Sequence, residues 1–328
     1  MIIRGGPVPT LLRRLRRRIL TPDVSQTRLS TRGFHEKDHA SRHLLETVGE
    51  TFLYGYARIA EAATPADAVT ALENVPARFR GFAYEGATMA CAVLDGLPFG
   101  RTDNVRRFLA GPGDPHVYMA YVGVGWAMAR LPRLRWSALY APDPVLRWLV
   151  LDGYGFHQAY FRTRDYVHGQ RRDTVVPWRP DAENAYAGNA FDQGIGRALW
   201  FVCGTDADRV ATTVEGFAPQ RRADLYSGVG LAATYAGGAD AGELTRLLHR
   251  AGEHRAAVSQ GSAFAASARV RAGLENTHTD LATGVLCAMT AKEAAEQCDR
   301  TRPAAGDVPG VAYETWRSRL RDVFAVVS

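Results

Sequence analysis

Gly55-Tyr56-Ala57, followed by Thr64-Pro65-Ala66-Asp67-Ala68-Val69, returns 141 residues later as Gly196-Arg197-Ala198 followed by Thr205-Asp206-Ala207-Asp208-Arg209-Val210. Gly86-Ala87-Thr88-Met89-Ala90 returns at an offset of 142 as Gly228-Val229-Gly230-Leu231-Ala232. Gly123, Trp126 and Ala127 match Gly261, Phe264 and Ala265 at an offset of 138, and Gly153 is set against Gly284. Self-similarity at a long period constrains architecture before any single element does. Here it predicts two pseudo-repeated helical halves packed into one body. The boundaries expected are a basic N-terminal arm over 1–33, a first helical half over 34–165, a connector over 166–190, a second helical half over 191–305 and a C-terminal helix over 306–328.

Each half carries helix signals. From His39, the residues His43, Leu44, Leu45, Val48, Phe52 and Ile59 keep a 3.6-residue period. Thr64-Pro65-Ala66-Asp67 reads as an N-cap with proline at the first helical position and an acid in the first turn. Thr205-Asp206-Ala207-Asp208 reads as the same device without proline. Both open short helices that end near Val75 and Gly216. Gly81 to Leu94 and Arg222 to Ala236 read as helices rich in small residues. Trp316 to Val327 is amphipathic, with Leu320, Val323 and Phe324 on one face. Strand signals are sparse. Thr174-Val175-Val176-Pro177-Trp178 is the best candidate, and its proline demotes it. The fold class expected is mainly α.

Composition narrows the function classes. At 46% hydrophobic and 23% charged residues, the chain has the make-up of one that buries a core. Its net charge of +6 is misleading. Residues 1–33 hold eight arginines against the single acid Asp23, a charge of +7, which leaves the body at −1. A nucleic-acid binder carries its basic stripe on the folded domain, so no nucleic-acid partner is expected. Leu11 to Leu20 is a short arginine-rich amphipathic segment. It suits docking on an anionic membrane surface or an acidic partner, or else an arm folded back with its leucines buried and its arginines solvated. The longest uncharged apolar stretch, Val117 to Ala129, is thirteen residues, short of the ~20 a spanning helix needs. Arginines interrupt every apolar run at the N-terminus, unlike a signal peptide. The expected location is cytoplasmic or peripheral at the membrane. Cys91, Cys203, Cys287 and Cys298 are widely spaced, as reduced buried thiols are, and lack the paired spacing of zinc ligands. No metal site is expected.

No standard catalytic motif is present. Gly194-Ile195-Gly196 and Gly228-Val229-Gly230 lack the third glycine, the preceding strand and the later acid of a dinucleotide site. Close helix packing accounts for them equally well, and no cofactor is indicated. The most suggestive polar stretch runs from Asp152 to His168. As one helix it would put His157, Phe161, Arg164 and His168 on a shared face, able to move protons or bind an anion, or else simply solvated. Glu275-Asn276-Thr277-His278-Thr279-Asp280 is a second cluster. Thr277 or Thr279 would cap a helix there, with His278 and Asp280 near its start. The candidate catalytic residues are therefore His157, Arg164, His168, His278 and Asp280. Aromatic residues crowd the chain from Tyr118 to Tyr186. Among them Trp126, Tyr154, Tyr160 and Phe161 are candidate substrate-binding residues, lining an apolar tunnel for a long flat ligand or filling a helix core. Asp192-Gln193 and Arg221-Arg222-Ala223-Asp224, with Arg78, Arg80 and Glu85 in roughly the corresponding places of the first half, suggest a structural ion pair across each half, or across the pseudo-dyad between them.

Four stretches together resemble a known family: Phe191 to Val202, Arg221 to Ala232, Gly81 to Ala87 and His278 to Ala282. The resemblance covers about residues 30–305. It is to the enediyne-biosynthesis (UnbL-type) family built on domain of unknown function 1702. It implies an accessory protein of enediyne polyketide antibiotic biosynthesis, an enzyme subunit acting on a linear polyene or polyyne precursor together with a membrane-protein partner. A non-catalytic carrier or scaffold for the same hydrophobic intermediate is the alternative. The family supplies no catalytic residues to carry over. The contact with the membrane partner is expected through residues 11–20.

Overall fold

The structure, a computed structural model, describes residues 11–98, 103–173, 178, 186–304 and 311–327. The described residues are helices and their connections, with no strand among them. Of the strand candidate at 174–178, only Trp178 lies within the described residues.

Seven long helices carry the architecture: α3 (His39–Glu61), α5 (Ala77–Gly96), α7 (Val117–Arg130), α8 (Trp148–Phe161), α9 (Ala187–Val202), α11 (Pro219–Ala236) and α13 (Arg255–Arg271). Each packs on the next in this order, and glycines set the spacing. In Gly123-x-Gly125, Gly153-x-Gly155, Gly194-x-Gly196 and Gly228-x-Gly230, two residues span about 200° of helix, so the two glycines face opposite neighbours. The first lies against the preceding helix and the second against the following one. A Cβ on Gly194 would stand 1.9 Å from the Asp152 carbonyl oxygen of α8, and one on Gly196 would stand 2.0 Å from that of Leu225 in α11.

The register is constant. Gly86, Gly123, Gly153, Gly194, Gly228 and Gly261 each meet a backbone carbonyl of the preceding helix: those of Phe52, Glu85, Val122, Asp152, Gln193 and Ser227. From α7 to α13, that carbonyl belongs to the residue just before the preceding helix's own glycine of this set. Gly55, Gly125, Gly155, Gly196 and Gly230 meet Ala83, Val150, Phe191, Leu225 and Val258 of the following helix. Along each interface one residue number falls as the other rises, so neighbours are antiparallel. The result is a helical meander with backbones in contact, where Cα–H groups can face carbonyl oxygens.

The repeating unit is thus a single helix, and the offsets of 141, 142 and 138 are steps of four helices: α3 to α9, α5 to α11 and α7 to α13. The pairing of Gly153 with Gly284 fails, because Gly284 meets no neighbouring atom. The meander runs unbroken from α8 to α9, which pack directly on each other across residues 166–190. It curls far enough for α13 to touch α7, and α16 (Ala312–Val327) packs on α13 from inside the curl. Leu320 and Phe324 of α16 are buried and Val323 packs against the core, as the amphipathic pattern predicts.

Shorter helices dress this frame: α2 (Leu29–Arg32), α4 (Val69–Glu73), α6 (Asn104–Leu109), α10 (Ala207–Glu215), α12 (Ala241–Ala251), α14 (Thr277–Leu286) and α15 (Ala291–Thr301). The turn at Pro65–Ala68 that leads into α4 starts at Thr64, whose backbone N–H donates to Asp67 Oδ2 at 2.8 Å. At the corresponding place the cap moves one residue on. Asp206 accepts from the Arg209 N–H at 3.0 Å, while Thr205 takes φ 64° and donates its hydroxyl to the Gly238 carbonyl.

The arm, α1 (Leu11–Leu20), does fold back, but the other way out. Arg16 donates to the carbonyls of Ala60 and Ala62 at 2.6 Å each, and Arg17 pairs with Glu61 at 2.9 Å. These cations neutralise the C-terminal end of α3. Leu11, Leu12, Leu15 and Ile19 face away, 83%, 77%, 51% and 71% exposed. The four cysteines are free thiols and buried.

Candidate functional site

Positions four residues apart share a helix face. On the inner face of the curl, the residue before each first glycine is followed by residues three and seven past it. Trp126, Phe156, Arg197 and Leu231 hold the third place and Arg130, Tyr160, Phe201 and Tyr235 the seventh, on α7, α8, α9 and α11. All eight line one cleft. Leu45, Phe52 and Leu53 of α3 and Phe82, Glu85 and Met89 of α5 close it, and Pro22, Gln26 and Thr27 lie across it from the arm. The cleft opens to solvent and has a cavity volume of ≈ 70 Å³. Its walls are mainly apolar and aromatic. Trp126 packs on Phe52 at 4.6 Å, on Phe156 at 5.1 Å and edge-on to Phe161 at 5.9 Å. Phe156 stacks on Tyr160 at 5.8 Å. Arg32 fastens the mouth, donating to the Tyr160 and Phe161 carbonyls at 3.1 and 2.9 Å.

Two polar groupings lie on this inner face. In the first, the residues before the ladder glycines join across successive helices. Gln193 donates to Asp152 Oδ2 at 2.7 Å, and Ser227 bonds Gln193 at 3.4 Å and Gln260 at 2.8 Å. Arg197 pairs with Asp152. Tyr313 and Arg317 of α16 continue the chain to Gln193 and Gln260, and Arg317 pairs with Asp224 at 2.8 Å. Arg221 grips Asp192 at 2.6 and 3.1 Å.

The second grouping begins at the same register position on α5. There Glu85 is 3% exposed, yet it is not paired with Arg78 or Arg80 as a mirrored ion pair requires. Arg80 pairs instead with Glu73 at 2.9 Å. On α7, between α5 and α8, the register position holds Val122, which cannot pass the polar chain on. Burial pushes the Glu85 carboxyl up to about 7, with Arg197 pulling against that rise and Asp152 adding to it. In the cleft lining Tyr235 Oη and His157 Nδ1 are buried without a hydrogen-bond partner, and Trp126 Nε1 has none of normal geometry, its N–H lying toward the Glu85 carboxyl. The Tyr235 hydroxyl fits because α5 has glycine at 81; a Cβ there would stand 1.9 Å from it.

The sequence-predicted residues separate. Helix α8 ends at Phe161, and a π-helical turn over Arg164–His168 follows, so 152–168 is not one helix. Arg164 and His168 are exposed on that turn, away from His157. His157 lines the cleft beside Trp126, and burial, with Arg130 adding to it, pulls its imidazole down to about 3, so it is neutral. His278 sits under α11, its Nε2 2.9 Å from the Ala233 carbonyl, and burial lowers its pKa. Its helix is capped by Asn276, which accepts from the His278 and Thr279 N–H groups at 3.1 Å each, not by Thr277 or Thr279. Asp280 is exposed and accepts from the Ala291 N–H at 3.0 Å, tying α14 to α15. Trp126, Tyr160 and Phe161 line the cleft. Tyr154 points to the opposite side, sharing Asp173 with Tyr166 at 3.0 Å each. Glu85 and Tyr235 were not singled out for chemistry. The signal that finds Glu85 is an acid directly before a ladder glycine, in the place that α8, α9, α11 and α13 give to a network residue.

Among the described residues no group of three His, Cys, Asp or Glu could hold a metal ion, and no helix is long and apolar enough to cross a membrane. No curated protein and no solved structure matches the chain. A family model described as "Protein of unknown function (DUF1702)" matches it from residue 11 to residue 324, and the chain belongs to that family.

Proposed function

We propose that this protein holds an extended, largely apolar small molecule in the aromatic cleft while docked at a membrane surface. In the biosynthetic setting that its resemblance implies, that molecule is the linear polyene or polyyne precursor of an enediyne, and the protein is an accessory subunit working beside a membrane-protein partner. The observation that carries this reading is the cleft: one aromatic and aliphatic slot built from six successive helices, with polar groups confined to a few points. Rings at 4.6 to 5.9 Å from Trp126 offer faces and edges to conjugated carbon.

The arm supports the docking half. Its arginines at 16 and 17 anchor it to α3, its apolar stripe is turned outward, and further arginines flank that stripe. This is the layout of an interfacial helix. The segment that follows it, Pro22 to Thr27, borders the cleft, so an apolar ligand leaving the bilayer has a short path inward.

Diphenylhexatriene, a rod-shaped polyene hydrocarbon, tests the cleft. Its fluorescence should rise saturably with wild-type protein, and Leu231→Trp, which fills the slot, should weaken binding ~10-fold or more. No saturable rise, or no effect of Leu231→Trp, sinks the reading. Co-sedimentation with anionic vesicles should fall sharply in Leu12→Ser/Leu15→Ser, and neutral vesicles should bind weakly.

A further inference from the structure

We propose that Glu85, Trp126 and Tyr235 form a recognition site on the inner wall of the cleft for the neutral carbonyl oxygen of an otherwise apolar, conjugated ligand. This rests on the cleft reading above and deepens it: the ligand is a polyene that carries a carbonyl, not a bare hydrocarbon.

Three observations lead here. Buried donors without partners are rare, because each costs its full desolvation. Here the Tyr235 hydroxyl is orphaned in the wall of the cleft, and the Trp126 N–H beside it has no hydrogen bond of normal geometry, only a contact with the Glu85 carboxyl. Tyr235 is only 4% exposed, and its hydroxyl occupies a notch that exists because residue 81 lacks a side chain. Glu85 lies one turn beyond that notch on the same helix and feels both groups. The Trp126 N–H favours its anion, and its charge raises the Tyr235 phenol.

The balance of charge selects the head group. Arg197 already pairs with the buried Asp152, Arg269 over the Tyr235 ring gives its N–H groups to the Arg78 and Tyr235 carbonyls, and Arg130 lies on the His157 side of the cleft, so none of these cations is turned to Glu85's side to receive a carboxylate. Glu85 would repel one. Two donors and a carboxyl that gains a proton readily suit a neutral acceptor, the oxygen of an aldehyde, ketone, ester or thioester. His157 adds a second orphan, Nδ1, on the side toward Arg130.

The experiment compares three rods by fluorescence titration of the full chain: diphenylhexatriene, the methyl ester of a conjugated tetraenoic acid, and the free acid. The ester should bind ~10-fold or more tightly than the hydrocarbon, as one or two well-made hydrogen bonds allow, and more tightly than the acid. Tyr235→Phe removes only the unpartnered hydroxyl. It should cost the ester ~5- to 10-fold, leave the hydrocarbon unchanged and abolish the downshift of the bound ester's C=O stretch. Glu85→Met should likewise remove the ester's advantage. Equal binding of ester and hydrocarbon, or equal effects of Tyr235→Phe on both, overturns the proposal while leaving the cleft reading intact. Binding of neither rod overturns both.

Discussion

Asp152 and Glu85 hold the same place in the meander. Each is the acid directly before a ladder glycine, each lies on the inner face, and both are almost wholly buried. They differ in what the next helix offers. Beside Asp152, α9 supplies Gln193 and Arg197, and the carboxylate is saturated. Beside Glu85, α7 supplies Val122 in the equivalent place, and the carboxyl is left facing a cleft among orphaned donors. In one region the polar network is nearly closed, with Gln260 Nε2 and Arg317 Nη2 the exceptions. In the other the polar atoms wait for a partner. A satisfied buried network specifies structure, while an unsatisfied one in a cleft marks where a ligand belongs. A single helix repeat therefore yields scaffold or site according to what the neighbouring helix brings to the same height.

The sharpest way to break this contrast is to remove a partner from the closed region. Arg197→Leu leaves Asp152 charged, buried and without its cation, and should cost about 3–5 kcal/mol of folding stability in urea unfolding. A loss under ~1 kcal/mol would mean that Asp152 is not held as described.

The next effect concerns the spacing on which both regions depend. Gly228→Ala puts a Cβ 1.9 Å from the Gln193 carbonyl oxygen. It should push α9 and α11 apart at a cost of about 1–3 kcal/mol and disturb the Ser227–Gln193 contact. Gly284→Ala, where a Cβ meets nothing, is the control and should be neutral or slightly stabilising.

The smallest effect is the pH signature of Glu85. Its pKa rises on folding from 4.5 to about 7, mainly through burial, against opposing help from Arg197. Between those values the folded state holds a proton that the unfolded chain has released, so stability falls as pH rises through that window and stays reduced above it. Asp152, Arg197, Trp126 and Tyr235 face the group. Glu85→Gln should accordingly gain on the wild type by about 1–2 kcal/mol between pH 5 and pH 8. A constant difference across that range would place Glu85 in water. His157 and His116, pulled down by burial to about 3 and about 4, act in the opposite sense. They erode stability as pH falls below 6.5 in wild type and variant alike, so the difference between the two isolates Glu85.

Much of the frame was legible in the chain. The 3.6-residue period from His39, the cap at Thr64 and the scarcity of β-branched alternation gave helices where helices stand. The recurring glycines were visible as well, but they suggested two halves. Spacing along a sequence shows that Gly55 matches Gly196, not that three intervening helices repeat the same device with other loop lengths. The candidate site was legible in part. Trp126, His157, Tyr160 and Phe161 do meet in one cleft, because α8 is continuous to Phe161 and α7 packs beside it. Arg164 and His168 fall away because α8 ends at Phe161, which periodicity alone does not mark.

The arm shows the limit most simply. Its amphipathic pattern fixed that one side is leucine and the other arginine. It did not fix which side faces the body, since exposed carbonyls at the end of α3 compete with solvent for the arginines. By itself the sequence determined helix periods, caps and the small residues that let backbones touch, all of them local properties of neighbouring residues. Only the tertiary structure decided that Asp152 is paired and Glu85 is not, because hydrogen-bond satisfaction depends on what the next helix brings to the same height, and that is set by packing register across the curl.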